Sequence, residues 1–379
     1  MDFSWTQEQN ELYNRILSLA QNKLGAGDTH PHPAWTRAQW LLCADLKLLG
    51  LSVPTPYGGC GYNALTTARA IEAFGRGYED MGLVFSVSAH LFACTMSIVE
   101  YGDENLKNRI LSKLCSGEKI GANAITEENA GSDVFALKTR AVMDGDSYIL
   151  QGHKSYVSNG PIADLFVVYA ITNPAHGYLG ITAFVVEKDI PGLSVSKPFR
   201  KLGLTSTPAC CITFDTCCVP IANRIGKEGQ GAQIFKRSMQ WERSCLFAAY
   251  LGQMERQLEQ TIAYAKGRHQ FGKPLGKHQV IAHRLADMKV RLEAARLLLY
   301  HACWCFDQGQ DASLAISLAK LAVSQAAVMG GLDAIHIHGS AGISCEHGIE
   351  QMLRDAIPAT IFSGTSEMQR DIIASELGL

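Results

Sequence analysis

One carboxylate stands out among the residues able to do chemistry. Glu242, in Met239-Gln-Trp-Glu-Arg-Ser, has Phe235, Met239, Leu246 and Tyr250 around it at helix spacing, so its face is largely apolar. A lone carboxylate on such a face needs a partner or a task. The partner would be Arg243 or Arg237 at the rim; the task would be proton transfer. Other carboxylates read more plainly. Asp287 and Glu293 look solvated or paired on their helix, and Asp355 beside Arg354 looks structural. Several segments carry recognition chemistry instead. Ala124-Ile-Thr-Glu-Glu-Asn-Ala-Gly-Ser-Asp-Val places a Gly-Ser turn before a strand, and Gly152-His-Lys-Ser-Tyr-Val-Ser-Asn-Gly adds an aromatic ring and hydroxyls. Far downstream stand Gly267-Arg-His-Gln-Phe-Gly-Lys-Pro-Leu, Gln279, His336-Ile-His-Gly-Ser-Ala-Gly and Ile361-Phe-Ser-Gly-Thr-Ser-Glu-Met-Gln-Arg. Twelve cysteines suggest disulfides or zinc, but their spacing refuses both. Cys210-Cys211 and Cys217-Cys218 are adjacent, Cys303 and Cys305 are one residue apart, and no C-x-x-C pair occurs. No metal site is expected.

The elements that must position these residues fall into three textures. A chain of 379 residues suggests two or three domains. From Ser4 to Leu114 the pattern is helical: Thr6 reads as an N-cap, and Leu12, Ile16 and Leu19 recur at helix spacing. Pro31-His-Pro33 and Pro54-Thr-Pro56 break the pattern; Ala68–Phe74 and Val84–Val99 resume it. Leu83–Tyr101 is apolar nearly all round and reads as a buried helix. Between Ile120 and Ile225 the runs become short and β-branched. Ala141–Leu150 reads as a hairpin about Asp-Gly, followed by strands at Leu165–Ala170, Ile181–Glu187, Leu193–Val195 and Cys211–Phe214. Their spacing suits a small antiparallel barrel or sandwich. After Arg224-Ile-Gly-Lys-Glu-Gly-Gln-Gly helix periodicity returns, at Ala232–Gly267, Val280–Gln308, Ala312–His338 and Ser366–Leu377. These lengths suggest a four-helix bundle. The expected fold is α+β: an N-terminal helical domain (1–118), a middle β domain (119–224) and a C-terminal helical bundle (225–379).

Composition narrows the function. Thirty-four basic against 36 acidic residues leave a net charge of −2, which argues against nucleic-acid binding or a polybasic membrane anchor. Hydrophobic residues at 47% exclude a mostly disordered chain. The N-terminus is polar and acidic rather than basic then apolar, and no run of about 18 apolar residues is evident. The expectation is a reduced, cytoplasmic protein whose cysteines act mostly as small core residues.

In their order and separation, the six recognition segments resemble the acyl-CoA dehydrogenase family of flavoproteins, over nearly the whole chain. Pro161-Ile-Ala-Asp-Leu-Phe-Val-Val-Tyr-Ala-Ile-Thr-Asn-Pro, Ser238-Met-Gln-Trp-Glu-Arg, Leu299-Tyr-His-Ala-Cys-Trp and Ile361-Phe-Ser-Gly-Thr are similar to one branch of it. That branch oxidises a prolyl group held on a peptidyl carrier protein, on the way to pyrrolyl thioesters. The resemblance implies FAD. It places Ile125 and Thr126 at the isoalloxazine edge and Ser132 on the phosphates through a Gly131 turn. Tyr156 stands for a usual Trp on the flavin, and Ser158 for a usual Thr at flavin N5. Arg268 and Phe271 would reach the FAD of a neighbouring subunit, Arg268 at its pyrophosphate, with its planar donor fork. Gln279, His336, Gly339 and Ser340 would hold the adenine half, and Thr365 and Glu367 would close the site. Glu128 replaces a usual Pro, His336 a usual Gln and Ser340 a usual second Gly, which leaves the adenine side least defined.

The implied reaction is α,β-dehydrogenation of a thioester: a base removes the α-proton while flavin N5 accepts the β-hydride. Many family members carry the base just before the Gly-Thr of the last motif, where this chain has Ser363. A second branch, with the isovaleryl-CoA dehydrogenases, carries it on a long C-terminal helix, and the matching residue is Glu242. Ser363 and Arg243 then belong to the substrate side. The implied partners are a carrier protein bearing a phosphopantetheine thioester, further copies of this chain in a homotetramer, and either molecular oxygen or an electron-transfer protein as acceptor. Three other functions share the fold: a short- or branched-chain acyl-CoA dehydrogenase, a flavin monooxygenase or nitroalkane-oxidase-like enzyme, and a flavin-binding relative without catalysis.

Overall fold

Capping chemistry starts the N-terminal helices. The structure, a computed structural model, describes residues 4–24 and 35–379, so the break expected at Pro31–Pro33 lies outside the described residues. Helix α1 (Gln7–Leu19) begins at Thr6: its hydroxyl accepts from Gln9 N while the Gln9 side chain accepts from Thr6 N. Thr36 starts α2 (Arg37–Asp45) in the same way. Asn63, Asp80 and Asp103 cap α3 (Ala64–Gly77), α4 (Met81–Ser88) and α6 (Glu104–Cys115). Between the last two, α4 widens into a π-type turn at Ala89–Thr95 and continues as α5 (Met96–Tyr101). By length and hydropathy, residues 81–101 and 313–343 both qualify as membrane spans, which corrects the expectation that no such run exists. The first stretch is apolar because protein surrounds it: 89% of its apolar window is buried.

The middle domain is one eight-stranded sheet. Its strands are β1 (Gly121–Ala124), β2 (Arg140–Asp144), β3 (Ser147–Ser158), β4 (Leu165–Ile171), β5 (Ile181–Glu187), β6 (Leu193–Val195), β7 (Ala209–Pro220) and β8 (Arg224–Ile225). The order is β6-β7-β3-β2-β4-β5-β8, with β1 beside β4. The sheet is mixed rather than purely antiparallel: β1 and β2 both run parallel to β4. The β2–β3 hairpin separates β1 from β4 and serves as the crossover that a parallel pair needs. Ala122, Ala124, Phe166, Val168, Phe184 and Ile212 lie in its core. Strand β3 slips register against β7 between Lys154 and Val157. This bulge turns Tyr156 outward at φ 57°, where it is 65% exposed.

The expected single helix over 232–267 is two helices. Helix α7 (Gly231–Trp241) gives way to a π-type turn at Glu242–Leu246 before α8 (Ala248–Gly267). A short ribbon, β9 (His269–Gln270) with β10 (Lys273–Pro274), leads to α9 (Gln279–Asp307), α10 (Ser313–His338), α11 (Ile349–Ala356) and α12 (Ser366–Glu376). Helices α8, α9 and α10 pack on one another, α12 packs on α10, and α3 lies across α8 and α9. All twelve cysteines are free thiols; Cys43, Cys94, Cys245 and Cys303 are fully buried in the core.

Helices α3 and α8 touch backbone to backbone. A Cβ on Gly75 would stand 2.2 Å from the Ala249 carbonyl oxygen. Gly75→Ala is therefore expected to cost about 1–3 kcal/mol through overpacking. Thermal denaturation checks this as a lowered Tm; an unchanged Tm would mean that the two helices separate freely.

Candidate active site

A cavity of about 1190 Å³ opens where the three parts meet. Its walls are the π-type turn of the α4–α5 helix, the end of β1 with the 131–135 loop, the bulge of β3, helix α7 with its own π-type turn, and the chain from Phe362 into α12. These two π-type turns, unlike a third at Ala20–Leu24, face one space, and such turns recur at functional sites.

Glu242 is the first residue of the second turn and is 7% exposed. Its Oε1 accepts a hydrogen bond from Ser363 Oγ. Arg243 Nε donates to the Ser363 carbonyl oxygen at 2.7 Å, so Ser363 joins the two neighbours on the helix. Burial pushes the Glu242 carboxyl above its ordinary value; the Ser363 hydrogen bond and the charges of Arg243 and Lys320 only partly offset this. Lys320 on α10 is fully buried, its Nζ has no hydrogen-bond partner, and burial pushes its ammonium down to about 7. The rim pairing left open by the sequence is not formed. Arg237 instead binds Glu100 at 2.7 Å, and Glu242 points into the cavity.

The opposite wall presents Ile125, Thr126, Gly131, Ser132, Tyr156 and Ser158. A buried ion pair fixes its base. Lys154 Nζ donates to Glu127 Oε1 at 2.8 Å and to the Ile125 carbonyl at 3.0 Å. Glu127 also accepts from Lys138 N, Thr139 N and Thr139 Oγ1 at 2.6, 3.0 and 2.6 Å. Burial alone would raise the Glu127 carboxyl, but Lys154 and these donors hold it below its ordinary value. Burial pushes the Lys154 ammonium down to about 8 against the pull of Glu127. The exposed ring of Tyr156 rests edge-on against Phe199, with centroids 5.5 Å apart.

The other candidates stand apart from this cavity. Arg268, Phe271, Gln279, His336, Gly339 and Ser340 are exposed on the outside of the C-terminal helices. Phe271 is 94% exposed, and His336 Nδ1 lies 2.8 Å from Arg284 Nη1. Thr365 uses its hydroxyl to cap α12 by accepting from Met368 N, and Glu367 pairs with Arg370 at 3.4 Å. Helix α12 faces the cavity through Met368, Ile372 and Glu376 instead. Sequence reasoning missed Asn123, Ser317 and Lys320. The only signal was an asparagine inside the strand Gly121-Ala-Asn-Ala, a poor strand former without evident cause.

The cavity fits a flavin with a substrate beside it. It exceeds the roughly 300–1,000 Å³ of a typical small-molecule site. Its β-domain wall offers an outward ring at Tyr156 and hydroxyl donors at Thr126, Ser132 and Ser158.

Comparison with known proteins agrees with this arrangement. The models of the acyl-CoA dehydrogenase N-terminal, middle and C-terminal domains match residues 6–118, 122–217 and 229–378. The chain is 53% identical to L-prolyl-[peptidyl-carrier protein] dehydrogenase of Pseudomonas fluorescens Pf-5, over the full length of both. It is 43% identical to the protein of the same name from a Serratia species, over 100% of this chain and 99% of that one. Among solved structures, the prolyl acyl carrier protein oxidase AnaB superposes with a TM-score of 0.97 at 43% identity, over 99% of this chain and all of that one. The FAD complex of PigA gives the same TM-score and identity, over the whole of both chains. On its three matching domains and its full-length relatives, this chain belongs to the acyl-CoA dehydrogenase family.

Proposed function

We propose that the protein is an FAD-dependent dehydrogenase that removes hydrogen from Cα and Cβ of a prolyl group carried as a thioester on a peptidyl carrier protein. The observation that carries this reading is the buried Glu242, hydrogen-bonded to a serine where much of the family has its base, in a chain 53% identical to a prolyl-carrier dehydrogenase. FAD, when bound, supplies the hydride acceptor. Thr126, Ser132 and Ser158 would donate hydrogen bonds to it, and Tyr156 would pack on its ring. Glu242 takes the α-proton. Its carboxylate is a better base for being buried, and Ser363 holds one oxygen so that the other is free to face Cα. Phe85, Met239 and Phe362 line the same cavity and keep water from the reacting carbon.

The exposed Arg268 and Phe271 fit a second role, contact with the FAD of a neighbouring copy in a homotetramer; Gln279, His336, Gly339 and Ser340 would hold the adenine half, and Thr365 and Glu367 would close the site from α12. Arg268→Ala is expected to lower FAD content or change oligomer size in gel filtration. If both stay as in the wild type, Arg268 does not act across an interface.

The reading is tested by the intact mass of a prolyl-loaded carrier protein incubated with the holoenzyme. Loss of two or four hydrogens is expected. An unchanged mass, with flavin bleaching by isovaleryl- or butyryl-CoA, would make the protein an acyl-CoA dehydrogenase instead.

A further inference from the structure

The cavity wall contains one polar group with no task. Asn123 lines the cavity, and its Oδ1 is sealed from solvent without a hydrogen-bond partner. No other lining residue among those described carries such an atom. Alternation along β1 explains its direction. Ala122 and Ala124 enter the sheet core, so Asn123 faces the other side, where β1 packs on the π-type turn Ala89–Thr95. Where that turn lines the cavity it is apolar, at Ala89 and Ala93. An orphaned acceptor in apolar surroundings is costly, and asparagine is unfavourable within a strand. Both costs ease if the amide turns its oxygen from the sealed side into the cavity, where a ligand can bring a donor.

We propose that Asn123 reads the nitrogen of the substrate, its amide oxygen accepting a hydrogen bond from the prolyl ring N–H. A half-turn about χ2 exchanges Oδ1 and Nδ2, so the amide turns its acceptor to the ring whichever end first faces the cavity. The interaction holds for the neutral amine and for the ammonium alike, since both carry an N–H. It also positions the reacting atom. The ring nitrogen is bonded directly to Cα, so holding the nitrogen sets the direction of the Cα–H bond relative to Glu242 in the same cavity. An acyl or carbocyclic group offers no donor there and would leave the amide orphaned, which is how a polar pocket rejects an analogue that lacks its partner. This inference rests on the prolyl reading above and names the group that enforces it.

The test compares two carrier-bound thioesters, prolyl and its carbocyclic isostere cyclopentanecarbonyl, with holoenzyme of the wild type and of Asn123→Leu. The wild type is expected to prefer prolyl by about 100-fold or more in kcat/KM. Asn123→Leu is expected to lose most of that preference while keeping its FAD content and its rate on the carbocycle. Equal losses on both substrates, or loss of FAD, would assign Asn123 to the cofactor or the fold and overturn the proposal. An unchanged preference would also overturn it. The wild-type comparison needs no variant: equal kcat/KM on the two thioesters defeats the proposal even if Asn123→Leu does not fold. Failure of the prolyl reading looks different, since the wild type would then leave the prolyl carrier unoxidised and act on CoA thioesters.

Discussion

Glu242→Gln is expected to bind FAD normally and to lose at least about 1,000-fold in kcat on the thioester substrate, the upper range for removal of a general base. Glutamine keeps the shape of the side chain and can still accept the Ser363 hydroxyl, so the cavity survives and only the proton acceptor is removed. Flavin bleaching under anaerobic conditions measures the step directly. A loss below tenfold would mean that the proton leaves by another route. The pH dependence has a defined sign. The base works when deprotonated, and burial raises its pKa, so kcat/KM should climb with pH through a value above that of an ordinary glutamate. Ser363 pulls that pKa down. Ser363→Ala should therefore move the acidic limb to higher pH and lower the rate at any fixed acidic pH.

The second large effect is expected on stability. Lys154→Met removes the fully buried cation of the pair and leaves the largely buried Glu127 carboxylate with only the donors of Lys138 and Thr139. Breaking one side of a buried ion pair costs about 3–5 kcal/mol. The Ile125 carbonyl loses its ammonium donor in the same step, so the wall meant for the flavin should loosen as well. Urea unfolding and the FAD content of the purified protein check both effects. Glu127→Gln combined with Lys154→Met should recover part of the loss, because no unpaired charge remains buried. In the wild type the depressed Glu127 carboxyl contributes stability at neutral pH, and this is lost as the pH falls through its lowered pKa. Near-wild-type stability of Lys154→Met would show that the pair is not a structural anchor.

Where a feature is local, the sequence displays it. Strand β5 occupies the expected Ile181–Glu187, α9 and α10 lie within a residue of their periodic stretches, and Thr6 caps α1 through a reciprocal bond spanning three residues. Glu242 was visible because a charge interrupts an apolar helical face. The rest depends on long-range pairing. The partner that replaces Arg237 in contact with Glu242 is Ser363, 121 residues away. The parallel pairing of β1 with β4 joins strands across an intervening hairpin. Asn123 was overlooked for the same reason, since the cavity it lines is closed by α4, α7 and the chain from Phe362 into α12. The break at 242–246 escaped a different way: apolar spacing averages over several turns and is blind to one surplus residue.

That surplus residue has a consequence for how the chain tolerates change in length. A π-type turn winds one more residue into its circuit than an α-helix does. The helix running through Trp241 and Phe247 can therefore lose one residue between them and close into regular α-helix, with its two halves still in line. Insertions and deletions normally find room only in surface loops. Here one has a place inside the helix that carries Glu242. A chain shortened there would keep its bundle and aim its carboxylate elsewhere, so a single deletion would separate the fold from its chemistry.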